Sequence, residues 1–402
     1  MLALNPKFKL ILPLIVFSQF ACTSLWFAAN AIMPDLVKGL GVLPSAIGFI
    51  TSSVQLGFIA GTLVFAVFAI TDRFSPSKVF FINAILAGVF NLSITFGQPD
   101  LAMLLLLRFL TGFFLAGIYP VGMKIAADHF ENGLGKALGF LVGALVLGTA
   151  FPHLLKTFGT ILPWKSLLII TSVCAISGGL LILLFVPDGP FRKINAAAHF
   201  KDVFSVFKKK DFRSAAFSYF GHMWELYTLW AFLPLILQTY LHLHAGYNLN
   251  VSLFSFLIIA SGCLSCIIGG YISQQIGSKK VAFTALLLSG LCCLFSPLFF
   301  QLNPMLFLSV LFLWSMSVVA DSPQFSTLTA LYAPPELKGS ALTIVNCIGF
   351  SITIISIQLT NFLLLKFNPV NVFPLLAMGP VLGLIALQSD SFQTNEKRRT
   401  KG

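Results

Sequence analysis

Thr71-Asp72-Arg73-Phe74-Ser75-Pro76-Ser77-Lys78-Val79 closes one apolar run and opens the next. About 202 residues later, Ser273-Gln274-Gln275-Ile276-Gly277-Ser278-Lys279-Lys280-Val281 does the same. In this register Lys78 meets Lys280 and Val79 meets Val281. At nearly the same offset Pro120 answers Pro323, and Glu131-Asn132-Gly133-Leu134-Gly135-Lys136 answers Glu336-Leu337-Lys338-Gly339. The chain has 402 residues, so the offset is close to half its length. The reading is an internal duplication.

Outward from these loops, apolar runs recur at 10–33, 46–70, 79–97, 101–123, 134–156, 165–186, 213–240, 250–273, 281–300, 305–331, 340–365 and 371–388. About 20 residues at 1.5 Å each cross the hydrocarbon core of a bilayer. Composition agrees: 57% of residues are hydrophobic and 9% charged, against roughly 25% charged in soluble domains. Lipid cannot satisfy an open backbone, so the runs must be helices. The alternating ten-residue segments of a membrane barrel do not occur. Ser75 and Pro76 read as the cap and first turn of the third helix. The expectation is an all-α polytopic membrane protein of twelve transmembrane helices in two pseudo-symmetric six-helix bundles. They span 1–186 and 213–390, with a basic linker at 187–212 and a tail at 391–402. Lys7, Lys9 and Ala29-Asn30-Ala31 mimic a signal peptide, but the run between them is too long for one. It reads as a retained first span.

A formal net charge of +12 would suggest nucleic-acid binding in a soluble protein. Here the basic residues sit in short loops and read as topology signals. Roughly twenty fall on one side of the bilayer, and only Lys38, Lys156, Lys165 and Lys366 on the other, a strong positive-inside bias. Both termini are therefore expected in the cytoplasm, with the protein a monomer in the inner membrane. Lys208-Lys209-Lys210 reads as a solvated anchor. The seven cysteines (Cys22, Cys174, Cys263, Cys266, Cys292, Cys293 and Cys347) all lie in apolar runs. Cys263 and Cys266 have metal-site spacing but no partner group nearby in sequence, so neither metal nor cofactor is expected. HExxH, GxSxG and a paired His-Asp set are missing from the sequence, which argues against an enzyme.

Paired repeats of this size are typical of secondary carriers, whose solute site lies between the repeats. Ionisable groups inside spans are costly and become functional candidates. They are Arg108, His153, His222, Glu225 and Asp321. Glu225 lies near the middle of the seventh run, and His222, three residues earlier, shares its helical face. Together they could take up and release a proton. Arg108 keeps its charge and suits an anion or a coupling carboxylate. His153 reads as interfacial packing. Gln19, Thr23, Trp26 and Asn30 follow one another at helical spacing and form a polar stripe. Gly57-Gly61, Gly135-Gly139-Gly143 and Gly379-Gly383 have the spacing of close helix contacts.

With these marks the chain resembles the major facilitator superfamily across all twelve runs. Asp72-Arg73 is similar to that family's acidic-basic loop between helices two and three. Arg108-Phe109-Leu110-Thr111-Gly112, followed by Gly117, is similar to its motif in helix four, and Gly270 through Lys280 to a weaker second copy of the first. Departures are Phe68 and Ser75 at glycine positions, a basic cluster reduced to Lys78, and Gln274 in place of the second acid. Gly143-Ala144 replaces the Gly-Pro pair of antiporters.

The resemblance implies that helices one, four, seven and ten line a central cavity. Gln19, Thr23, Trp26, Asn30, Arg108, Trp224, Tyr227, Trp314 and Gln324 would then bind solute, with Trp230 nearby. Glu225, His222, Asp321 and Arg108 would couple protons. Asp72 and Arg73 would gate the cytoplasmic side, with Asp72 facing Gly339-Ser340. The expected activity is proton-coupled uptake of a small solute by alternating access. Efflux of a drug or metabolite is the second reading, and a non-transporting solute sensor is the rival from another class.

Overall fold

Each apolar run carries helix, the first of them interrupted, and no strand occurs among the described residues. The computed structural model describes residues 6–130, 134–159, 163–192, 203–334 and 337–388. Glu131, Asn132, Gly133 and Glu336 of the repeated loops lie outside these ranges, as do six basic residues counted toward the positive-inside bias (Lys193, Lys201, Lys397, Arg398, Arg399 and Lys401) and the whole predicted tail. Among the described residues eleven helices are long and apolar enough to cross a membrane. These are spans two to twelve: Ala46–Val67, Pro76–Ser93, Leu101–His129, Ala137–Thr157, Trp164–Phe185, Lys210–Leu243, Val251–Ile276, Ser278–Phe299, Pro304–Tyr332, Lys338–Leu364 and Pro369–Leu387. A shorter apolar helix, Leu10–Thr23, makes the first. Large apolar side chains such as Leu264, Phe295 and Ile385 are exposed on the outside of the bundle, as a lipid-facing surface requires.

Side-chain caps start several spans. Asp100 accepts from the Met103 N–H (2.8 Å), Asn250 from Leu253 (3.0 Å) and Asn303 from Leu306 (3.0 Å). Ser75 stands at the cap position before Pro76 as expected, but its hydroxyl makes no cap bond. It donates instead to Asp188 Oδ1 (2.6 Å), tying the third span's entry to the segment after span six.

Spans one, four and ten are broken, and the twelfth opens as two 3-10 turns, Pro369–Asn371 and Phe373–Ala377, before its α-helix Met378–Leu387. The fourth pauses at Ala116–Ile118 before Tyr119-Pro120, and the tenth at Asp321 before Ser322-Pro323. Proline lacks the N–H that would continue the helix. That the two breaks fall at corresponding places fits the duplication. The first span departs from the expected run at 10–33. Its helix ends at Thr23 and resumes at Ala28–Ala31 and Met33–Leu40. The hydroxyls of Thr23 and Ser24 bond back to the carbonyls of Gln19 (2.8 Å) and Ala21 (2.7 Å), a habit that loosens helices. The N–H groups of Leu25 and Trp26 then take the shorter path to Cys22 and Thr23. The polar stripe is therefore not one helical face: Gln19 and Thr23 precede the break, and Trp26 and Asn30 follow its start.

Within the first half, spans two and four touch through glycine. A Cβ on Gly57 would run into the Phe109 carbonyl oxygen, and one on Gly112 into that of Val54. Between the halves, span two packs on span eleven and span five on span eight. Gln358 Nε2 donates to Ser52 Oγ (2.8 Å) and Asn361 Nδ2 to the Ser45 carbonyl (2.9 Å). At the centre Trp26 and Phe58 of the first half meet Tyr227 and Phe350 of the second. Trp26 stacks on both, with ring centroids 5.8 and 5.7 Å apart, and Phe58 lies 4.6 Å from Phe350.

Candidate functional site

The seventh span positions most of the site. Along Lys210–Leu243 the residues Tyr219, Met223, Tyr227 and Trp230 recur at helical spacing and turn toward spans one and eleven. Trp224 turns another way. Its indole N–H donates to the Leu375 carbonyl (3.4 Å), and its side chain lies against Gly379 in span twelve. It therefore sits inside the second half and not at the interface expected of a solute ligand. His222 and Glu225 occupy the remaining face, directed at spans nine and ten.

Glu225 is fully buried and held by three donors. The Trp314 indole (2.6 Å) and the Cys293 thiol (3.1 Å) donate to Oε1, and the Ser289 hydroxyl (2.9 Å) to Oε2. Asp321 Oδ1 lies 2.8 Å from His222 Nδ1, and both side chains are sealed from solvent. The sequence places His222 beside Glu225 but gives no sign that Asp321 is its partner. That pairing depends on the break in span ten, which sets Asp321 between two helical segments. A His-Asp pair that the sequence does not show is thus made by the fold.

The Glu225 cradle can change protonation without losing a bond. An indole N–H only donates, so Oε1 must remain an acceptor. Oε2 is free to carry a proton, because the Ser289 hydroxyl has a second acceptor, the Leu286 carbonyl at 3.2 Å. Ser289 then donates there and accepts from the protonated carboxyl. Ser289 and Cys293, both on span nine, escaped the sequence reading, in which hydroxyls and thiols of apolar runs pass as packing.

Arg108 is fully buried in span four. Its guanidinium donates to the carbonyls of Leu25 (3.0 Å) and Trp26 and to Asn91 Oδ1 (3.1 Å). These carbonyls are the ones that the break in span one withdraws from helical bonding. No carboxylate is among its hydrogen-bond or ion-pair partners in the described residues, and its Nε has no partner. The positive charge is thus held by neutral acceptors alone. Gln19 and Gln55 are also buried in the first half, with unpartnered amide groups.

Gln19, Thr23, Trp26, Asn30, Tyr227, Trp314 and Gln324 are all buried. Two cavities lie at opposite ends of the bundle. One of about 240 Å³ touches Gln324, Gln274 and Cys266, and the other, of about 500 Å³, touches Asn30, His153 and Phe232. Neither is lined by Arg108, His222, Glu225 or Asp321. The aromatic cluster of Trp26, Phe58, Tyr227 and Phe350 fills the centre between the halves.

At the end carrying the repeated loop, Asp72 Oδ1 pairs with Lys124 Nζ (3.0 Å), which also approaches Asp128 (3.8 Å). Arg192 pairs with Asp188 (2.7 Å) and donates to the carbonyls of Asp72 and Phe74. Arg73 is exposed. In place of the expected contact with Gly339-Ser340, Asp72 finds a partner within its own half. Lys124 follows the proline break of span four by one turn and points its ammonium at the loop.

Comparison with known proteins places this architecture. The family model of the Major Facilitator Superfamily matches residues 15–357. A crystal structure of a human organic anion transporter superposes with a TM-score of 0.75 at 16% identity, covering 96% of this chain and all of that one. An uncharacterized protein of Campylobacter jejuni is 29% identical over 70% of this chain and 86% of its own length. The niacin transporter NiaP of Acinetobacter baylyi is 32% identical over 30% of this chain and 29% of its own. The 4-hydroxybenzoate transporter PcaK of Pseudomonas aeruginosa is 26% identical over 40% of this chain and 36% of its own. Twelve helical spans, a duplicated loop motif, a buried arginine in span four and a match over most of the chain lead to one assignment: this protein belongs to the major facilitator superfamily and is a multi-pass membrane transporter of small solutes.

Proposed function

We propose that the protein takes up a small organic anion together with protons by alternating access. The observation that carries this reading is the sealed group of His222, Glu225 and Asp321 in the second half. Two carboxyl groups and an imidazole inside membrane spans seven and ten are costly, and a coupling role accounts for their retention. Arg108 supplies the complementary element in the first half, a buried cation whose partners are all neutral. A carboxylate of the solute would meet it when Trp26 separates from Tyr227 and Phe350. Gln19, Tyr227 and Gln324 would contribute polar contacts. Two of the named relatives carry single-ring acids, niacin and 4-hydroxybenzoate, over the partial matches described above.

The working orientation follows the positive-inside bias: the protein is a monomer in the inner membrane, with both termini cytoplasmic and bundles at 1–186 and 213–390 joined by the basic linker. Asp72 and Arg73 would then act at the cytoplasmic gate, with the Asp72–Lys124 pair fastening the first half. Uptake in proteoliposomes tests the proposal, with radiolabelled niacin and 4-hydroxybenzoate as probes. Wild type should concentrate a probe when the outside is made acidic. Glu225→Gln should lose this accumulation while retaining counterflow exchange. Undiminished uphill uptake by Glu225→Gln removes Glu225 from coupling.

A further inference from the structure

The cavity of about 500 Å³ lies at the end of the bundle opposite Asp72 and is walled by both halves. Phe232, Leu235 and Leu364 provide apolar surface. Its charged lining consists of Lys38 and Lys156, and no Asp or Glu lines it among the described residues. Asp35 pairs with Lys156 (2.6 Å) outside that lining, and Lys38 is exposed at the mouth. Two buried side chains of the lining carry unpartnered atoms: His153 Nε2, with the residue 2% exposed, and Asn30 Oδ1, with the residue 4% exposed. The orientation of Asn30 is fixed by its neighbours. The Thr51 hydroxyl donates to the Ile47 carbonyl (2.7 Å), so it must accept from Asn30 Nδ2 (2.7 Å). This leaves Oδ1 as an acceptor.

A cationic mouth, apolar walls and unsatisfied polar atoms among the lining residues match an amphipathic anion. Burying an unpartnered imidazole nitrogen and an unpartnered amide oxygen has a cost that a ligand would remove. The reading of His153 as interfacial packing leaves that nitrogen unexplained. We propose that this cavity is a binding site for a single-ring aromatic carboxylate, separate from the sealed centre at Arg108. The carboxylate sits between Lys38 and Lys156, the ring lies against Phe232 and Leu364, and a hydroxyl on the far side of the ring reaches Asn30 Oδ1 and His153 Nε2. This rests on the reading of the protein as an organic-anion carrier, and it assigns where the anion first lodges.

Equilibrium binding of 4-hydroxybenzoate to the purified full-length protein tests it, with benzoate and the neutral 4-hydroxybenzamide as comparisons. The wild type should bind 4-hydroxybenzoate more tightly than either analogue. Lys38→Gln, an exposed and fold-neutral change, and His153→Asn should each weaken binding about ten-fold, the loss of one charge-assisted or buried hydrogen bond. Their uptake should show a raised KM with a nearly unchanged kcat. Equal binding of the neutral amide, unaltered binding by both vestibule variants, or no binding by the wild type overturns the assignment. If the vestibule variants bind normally while proton-driven uptake persists, only this site fails. If uptake shows no proton dependence while the variants lose binding, the coupling reading fails and the site stands.

Discussion

At Arg108 one side chain holds two helices in shape. Its guanidinium forks between the Leu25 and Trp26 carbonyls and Asn91, a planar geometry that lysine cannot reproduce. Arg108→Lys should therefore lower stability by about 3 kcal/mol, since hydrogen bonds to charged groups are worth about 1.5–3 kcal/mol each. The melting temperature in detergent and the uptake rate should fall together, and an unchanged melting curve would contradict the structural part of this role. Trp314→Phe keeps the ring but removes the N–H that fixes Glu225 Oε1. It should impair proton-driven accumulation while sparing counterflow, as measured in the same vesicles. These residues show where sequence reading reaches its limit. Arg108, His222, Glu225 and Asp321 could be picked out because charge in an apolar run is rare. Asn91, Ser289 and Cys293 could not, because small polar residues are common in helices. The partnership of Asp321 with His222 joins positions 99 apart, and nothing local encodes it.

Elements were more legible than their interruptions. The run lengths gave twelve spans because hydrophobic thickness imposes a length, and Pro120 and Pro323, legible only as a repeated pair, stand at two of the breaks. The break in span one had no proline to announce it. It arises from Thr23 and Ser24 bonding back to their own helix, combined with a cation on another span. Glycine spacing was a partial guide. Gly57→Ala would place a methyl group against the Phe109 backbone, which cannot move aside. It should destabilise by about 3 kcal/mol, the upper range for overpacking. Gly139→Ala meets nothing within 4 Å and should be nearly neutral. Thermal melts of the two variants check the contrast. Ala69, just after span two, has φ 49°. Left-handed backbone costs a residue with a Cβ about 1 kcal/mol, so Ala69→Gly should raise the melting temperature.

Across the whole molecule, the duplication in the sequence foretold two related bundles, but not which state they would adopt. Loop motifs and apolar runs carry no record of whether the centre is open, since that depends on aromatic side chains from distant spans meeting face to face. Gln358–Ser52 and Asn361–Ser45 tie the halves at one end. A Ser52→Cys/Gln358→Cys double variant should stop uptake when oxidised and recover it on reduction, while the single variants keep working under the oxidant. Continued uptake with the bridge formed would show that these two helices need not part.

The interruption in span one also bears on how the chain is made. When that segment enters the bilayer, Arg108 is still some eighty residues from synthesis, so the bared carbonyls of Leu25 and Trp26 have no cation to receive them. Until span four arrives, this stretch carries two backbone carbonyls that lipid cannot satisfy. Truncated chains ending before Arg108 should be held at the insertion machinery or degraded, whereas chains extending past it should settle.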